Sequence, residues 1–175
     1  MTIALVDVHY DGSSARAACV LAESWEADST LDEQVLRIGR VEPYEPGRFY
    51  RRELPCRLAV LGLLGAVPDV VVIDGYVWLS SGERPGLGAR LHEALGRGTA
   101  VVGIAKTAFL GAESSPVVSM VYRGGSLRPL YVTAAGMSLE VAADHVRRMA
   151  GGHRIPALAR RVDRLARGAG ACGLP

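Results

Sequence analysis

Pro68-Asp69-Val70-Val71-Val72-Ile73-Asp74-Gly75 is the stretch whose reading decides the fold. Four consecutive β-branched residues between a proline and a glycine are too short for a helix and stiff at χ1, which suits a pleated strand. They do not alternate with polar residues, so both faces of this strand should be covered, as in the parallel centre of an α/β sheet. A second run of the same kind, Ala100 to Lys106 (AVVGIAK), lies downstream. Between them, around Gly86 to Leu95, Leu87, Leu91 and Leu95 recur at helical spacing. Strand, helix, strand is the signature of a parallel unit.

Towards the amino end, Thr2 to Val8 (TIALVDV) reads as a first strand. The turn Asp11-Gly12-Ser13-Ser14 should return the chain antiparallel through Ala15 to Ala22, and a third strand is expected near Val35 to Val41. Pro43 to Leu54 (PYEPGRFYRREL) reads as a loop. A helix is expected from about Glu53, with Pro55 in its first turn, where a missing N–H is harmless, and with Leu54, Leu58, Leu61 and Leu64 as its apolar face. Towards the carboxyl end, strands are expected near Val117 to Tyr122 and Leu130 to Thr133. Ser138 should cap a helix running to about Met149, and a last helix, Ala157 to Arg167, should bury Leu158, Val162 and Leu165. The expectation is one α/β domain over residues 1–175, a mixed central sheet flanked by helices, with 168–175 as a flexible tail.

Composition narrows the function. With 49% hydrophobic and 22% charged residues the chain has the balance of a water-soluble globular domain. No apolar run reaches the ~18–20 residues needed to span a bilayer. Met1 to Val8 carries an Asp and lacks a basic lead-in, so it reads as a strand and not a signal peptide. The three cysteines, Cys19, Cys56 and Cys172, have no metal-like spacing, which argues against disulfides and zinc and for a reducing cytoplasm. There is no GxxxxGK[ST] phosphate loop, no GxGxxG and no nucleophile elbow, and His9, His92, His145 and His153 lack ligand spacing. Net charge is only +2, but Arg147 to Arg167 holds seven arginines against one acid, and Arg48, Arg51, Arg52 and Arg57 form a second cluster. Such patches neutralise phosphates or are simply solvated faces. Lys106 is the only lysine beside nineteen arginines, so a role that a planar guanidinium cannot fill is expected for it.

Three acids stand where the pattern expects other residues. Asp7 interrupts an apolar strand, Asp74 ends one at the carboxyl edge where open α/β sheets build sites, and Glu53 opens a helix. Each has a plain structural reading as well, as a turn, cap or helix-start residue. If they converge, two carboxylates ~4 Å apart repel by roughly 4 kcal/mol at an effective dielectric of 20, so they share a proton or bind a cation. An all-oxygen donor set selects Mg²⁺ or Mn²⁺ over zinc. Asp163 is a fourth candidate, flanked at helical spacing by the small Ala159 and Ala166; a salt bridge to Arg160 or Arg167 explains it equally.

The blocks VDVHY, PYEPGRFYRREL, DVVVIDGYVWLSS, LGARLHEAL, VVGIAK and RIPALARRVDRLA, in this order and spacing from Leu5 to Leu165, resemble the endonuclease V family. The resemblance implies a ribonuclease H-like fold and a Mg²⁺-dependent endonuclease, with Mn²⁺ as substitute. It implies metal ligation by Asp7, Glu53 and Asp74, with Lys106 and Asp163 completing the catalytic set. Cleavage would fall one phosphodiester beyond an inosine, on its 3′ side, in DNA or RNA, leaving a 5′-phosphate. Pro43, Tyr44 and Pro46 match the family's wedge, whose tyrosine fills the gap left by an everted base. Gly47, Gly75 and Gly88 would admit backbone amides to a flipped hypoxanthine, and Ser80 and His92 fall on the lesion-binding side. The chain departs from the family at Glu45, at Ser80 and across Thr133 to Met137. A monomer acting in the cytoplasm, away from membranes, is expected. The competing readings are a non-catalytic binder of inosine-containing or structured RNA, and another ribonuclease H-like nuclease such as a junction resolvase.

Overall fold

Val70 to Ile73 lies at the centre of the sheet, buried on both faces. The computed structural model describes residues 1–43, 49–79 and 84–168, with the side chain of Phe49 excepted. Its strands are β1 (Ile3–Asp11), β2 (Ser14–Ala22), β3 (Asp32–Ile38), β4 (Val70–Asp74), β5 (Ala100–Ala105), β6 (Ser119–Val121) and β7 (Leu130–Ala135). They form one sheet in the order β3-β2-β1-β4-β5-β7-β6. β1, β4 and β5 run parallel at its centre; β2, β3, β6 and β7 are antiparallel additions to either side. The expected mixed sheet is therefore observed. β1 is longer than its apolar core because the hairpin ladder carries the polar residues His9 to Asp11 with it.

Helices α1 (Phe49–Leu61) and α2 (Leu87–Ala94) cover one face, and α3 (Leu139–Arg148) and α4 (Ala157–Arg167) the other. Strand alternation divides the core accordingly. Ile3, Leu5, Val70 and Val72 pack with Val146, Leu158 and Val162, whereas Ala4, Val6, Val71 and Ile73 pack with Val60 and Leu91. Ser138 caps α3 by accepting from Val141 N at 3.3 Å, as its position predicted. The link from α3 to α4 is pinned by buried Arg123, whose guanidinium donates to the carbonyls of Arg147, Met149, Gly151 and His153. Among the described residues no helix is long and apolar enough to cross a membrane.

Helix α1 corrects the sequence reading. It begins at Phe49 and not near Glu53, so Glu53 lies in its second turn and Pro55 in its interior. An interior proline deletes a helix hydrogen bond. Tertiary contacts hold the extra turn: Arg52 stacks over the Tyr10 ring at 4.0 Å and bonds the Gly12 carbonyl at 2.9 Å, and Arg90 stacks over Tyr50 at 3.7 Å. The buried face is wider than expected. The four expected leucines do face this core, Leu61 buried and Leu54, Leu58 and Leu64 half-buried against it, but the most deeply buried row also takes in Glu53, Cys56, Arg57 and Val60. Arg57, expected in a surface cluster, is 1% exposed. β3 likewise begins at Asp32, three residues ahead of Val35, because Asp32 to Gln34 pair in register with Leu21 to Cys19.

Candidate active site

Strand register builds the site. The β1–β4 ladder ends at Val6↔Ile73, and one step further stand Asp7 and Asp74, on adjacent parallel strands and on the α4 face. β4–β5 pairing matches Asp74 with Ile104, and Lys106, two residues on, points to that same face. α4 crosses above and brings Asp163. Asp7, Asp74, Lys106 and Asp163 line one cavity, walled by Ile155, Pro156 and other apolar residues. Glu53 comes from the opposite face on α1 and meets Asp74 in an adjoining cavity lined also by Tyr50, Gly75 and Tyr76. Asp74, at the strand end, is the residue common to both.

The electrostatics are those of crowded carboxylates with built-in counter-charges. Burial pushes the Asp7 carboxyl above its ordinary range; Arg57 and a hydrogen bond from Val8 N oppose this, while Asp74 and Asp163 add to it. Burial likewise raises Glu53, against the pull of Arg57 and with repulsion from Asp7 and Asp74. Arg57 donates to the Val6 carbonyl at 2.5 Å and reaches Glu53 Oε1 at 3.4 Å. Lys106 Nζ donates to Asp74 Oδ2 at 2.5 Å. Arg154 braces Lys106 in turn, bonding its carbonyl and that of Pro129. Asp163 takes both its bonds, each 3.0 Å, from Arg167. Arg167 also feels the fields of Asp7 and Asp74, so the salt bridge and the place in the cavity, alternatives in the sequence, coexist. Among the described residues no three acidic, histidine or cysteine side chains converge closely enough to hold a metal ion. The donors nevertheless suit a hard cation in kind: they are carboxylate oxygens whose mutual repulsion a divalent charge relieves.

The structure gives two expected lesion-contacting residues other partners. Gly88 is a packing glycine: a Cβ there would meet Val77 Cγ2 at 2.7 Å, and its amide is already bonded to the Tyr76 carbonyl. His92 bonds the Thr99 carbonyl at 2.8 Å and lines a groove apart from the carboxylates. His9 is exposed and borders a neighbouring cavity. Gly75, at φ 132°, follows Asp74 and borders the Glu53 cavity. Pro43 is exposed. Tyr44, Glu45, Pro46, Gly47, Ser80, Cys172 and all of the expected tail but Gly168 lie outside the described residues. The departing block at Thr133 has a structural use: Thr133 Oγ1 accepts from Val77 N at 2.8 Å and the Ala134 carbonyl accepts from Trp78 Nε1, tying down the segment after Asp74. Sequence reasoning missed Arg57 and Arg154. For Arg57 the i+4 spacing from Glu53 was the available signal.

The endonuclease V family profile matches residues 1–164. Endonuclease V of Azotobacter vinelandii is 35% identical over 94% of this chain and 81% of its own, and that of Rhodospirillum centenum 30% over 94% and 76%. The Streptomyces avermitilis endonuclease V structure aligns with a TM-score of 0.73 at 27% identity, covering 97% of this chain and 81% of the other. That of Ciona intestinalis, solved with DNA containing an inosine, aligns at 0.81 and 19% identity over 96% and 84%, a likeness of fold. With its mixed ribonuclease H-like sheet and the matching blocks spread along nearly its whole length, this chain belongs to the endonuclease V family.

Proposed function

We propose that the protein is a metal-dependent endonuclease that hydrolyses a phosphodiester 3′ to a deaminated purine, inosine or hypoxanthine, in DNA or RNA. One observation carries the reading: Asp7 and Asp74 stand side by side at the carboxyl edge of the parallel strands, with Lys106 and Asp163 in the same cavity. Asp7 and Asp74, with Glu53 approaching from α1, are the residues that would hold Mg²⁺ or, in its place, Mn²⁺. Bound there, such an ion supplies Lewis acidity and a water of lowered pKa. The chain's own residues do the rest. Lys106, kept at the cavity by Asp74 and Arg154, offers a compact charge to the scissile phosphate. Asp163, which lines the same cavity, is assigned the orientation of an attacking water. Arg57 keeps Glu53 anchored in the α1 face. The everted base is received beside Gly75, whose missing Cβ leaves the backbone open. Pro43, Tyr44, Pro46 and Gly47 are assigned to the wedge, and Ser80 to the lesion side, by the family resemblance alone. Buried free Cys19 and Cys56 suit work in the reducing cytoplasm, and a monomer is the proposed state.

The test is incubation of end-labelled single-stranded DNA and RNA, each with one inosine, with Mg²⁺ and with Asp7→Ala or Asp74→Ala. Cleavage one bond beyond the inosine, reduced more than about 100-fold in each variant, is expected, since residues that only orient metal ligands already account for roughly 10–100-fold. Cutting that ignores inosine would make the protein another ribonuclease H-like nuclease. Tight binding without metal-dependent cutting would make it a binder.

A further inference from the structure

Two residues beyond Asp7 on β1, and on the same face of the sheet, stands His9. The hairpin register sets His9 opposite Arg16 of β2, and Arg16 opposite Arg37 of β3. Three basic residues thus lie in one line across three adjacent strands. Arg167, at the end of α4, closes the cavity they border, and Asp11 is the single acid in its lining. Antiparallel strands ordinarily place opposite charges, or a charge and a neutral group, at facing positions; like charges directly opposed are destabilising. The sheet could have met that rule easily here. Four residues back on β3, and on the same face, Glu33 takes Arg161 of α4 in a two-pronged bond at 2.8 and 2.7 Å. Arg16 and Arg37 have no such partner among the described residues. Arg37 and His9 are exposed, and Arg16 is half-buried beneath Gly168 at the carboxyl end of α4. That helix end offers Arg16 a partial negative charge, which explains one member of the line and not the others.

We infer that the His9–Arg16–Arg37 line, with Arg167, is a phosphate-binding subsite for the nucleic-acid backbone flanking the cleavage position. At ~3.4 Å per residue and ~4.8 Å between strands, it begins roughly 7 Å from Asp7 and runs about 10 Å across the sheet. Arg16 and Arg37 can each take one phosphate along a strand leaving the carboxylates towards the β3 edge. Guanidinium-to-phosphate bonds carry no base information, so this subsite positions the substrate and does not read inosine. The inference rests on the nuclease reading for its ligand, but its prediction differs from that of inosine recognition.

The experiment is fluorescence anisotropy of labelled single-stranded oligonucleotides, with and without inosine, titrated in EDTA across a range of NaCl concentrations. Arg16→Gln/Arg37→Gln should shallow the slope of log K against log salt by about 1.4, at ~0.7 for each single-strand phosphate no longer neutralised, equally for both oligonucleotides. Arg37→Gln alone, an exposed change, should remove about half of that and serves if the double variant loses stability. Arg97→Asn, in the turn after α2 that leads into the amino end of β5, where φ is 62° and asparagine is tolerated, should leave the slope unchanged. An unaltered slope in Arg37→Gln, or an equal change in Arg97→Asn, overturns the subsite. Inosine-indifferent binding with the shallower slope overturns inosine recognition and keeps the subsite. Inosine preference with an unaltered slope does the reverse, and no binding by the unaltered protein overturns both.

Discussion

Lys106 Nζ lies 2.5 Å from Asp74 Oδ2, and both side chains are 42% exposed. An ion pair this open to water contributes little to stability, about 0–1 kcal/mol. Lys106→Met should therefore leave thermal unfolding nearly unchanged while lowering single-turnover cleavage by roughly 10²–10³-fold, the loss typical of a group that stabilises transition-state charge. Unfolding and cleavage measured on one preparation decide it. A loss of activity matched by a loss of folded protein would return Lys106 to a structural role.

Arg57 and Glu53 make the opposite case, a pair buried to 1% and 8% exposure. Removing one partner strands the other's charge, at about 3–5 kcal/mol. Arg57→Met should lower the unfolding free energy measured in urea by that order, and Glu53→Gln added to it should restore most of the loss. A double variant no more stable than the single one would show that Arg57 acts through packing and its bond to the Val6 carbonyl. Arg57→Met should also reduce cleavage, because Glu53 then loses its anchor.

Asp7 and Glu53 set the pH dependence. Both have native pKa values above their ordinary 3.8 and 4.5, burial being the larger cause. Between the ordinary and the raised value the native protein binds more protons than the unfolded chain, so stability falls as pH rises through that window. Glu33 works the other way, since the hydrogen bond from Arg161 holds it low and its stabilising share is lost as pH falls. The difference between variants is therefore the informative measurement. In EDTA, Asp7→Asn should be more stable than the unaltered protein near pH 7, and the two should converge as pH falls towards the ordinary carboxylate pKa of 3.8. A gap that does not change with pH would show that the carboxyl is not raised by burial.

Gly103 lies beneath the active strand end. A Cβ there would collide with the Gly75 carbonyl oxygen and sit 2.8 Å from Thr133 Oγ1. Gly103→Ala must displace the backbone just past Asp74 and should reduce both stability and cleavage. Thr133→Val should orphan the buried Val77 N–H, which costs about 1–3 kcal/mol. Denaturant unfolding measures both, and full stability in either variant would show that the segment after β4 is free to move aside.

The parallel strands were legible because their physics is local. Runs such as Val70 to Ile73 have no amphipathic alternative, and the spacing of Leu158, Val162 and Leu165 leaves α4 one way to face a sheet. Asp7 and Asp74 were legible for the same reason: a charge at the edge of an apolar strand breaks a pattern. The start of α1 was not legible, because Arg52 over Tyr10 and Arg90 over Tyr50 outweigh the local signals of Pro43 to Leu54. Nor was the burial of Arg57, since composition places arginine on surfaces and only the packing of α1 on β1 supplies the Val6 carbonyl and Glu53.

The sequence by itself determined which chemistry is present: carboxylates at strand ends, one lysine, and an order of blocks shared with a family. Tertiary structure alone decided which of these groups meet. The register of β1 on β4 and of β4 on β5 sets Asp7, Asp74 and Lys106 on one face, and the crossing of α4 adds Asp163. It also decided what neutralises them, pairing Asp74 with Lys106, Glu53 with Arg57 and Asp163 with Arg167. It alone set Arg16 opposite Arg37. Side-chain identity is a property of the chain, whereas electrostatic energy depends on distance and burial, which exist only once strands are in register and helices are packed.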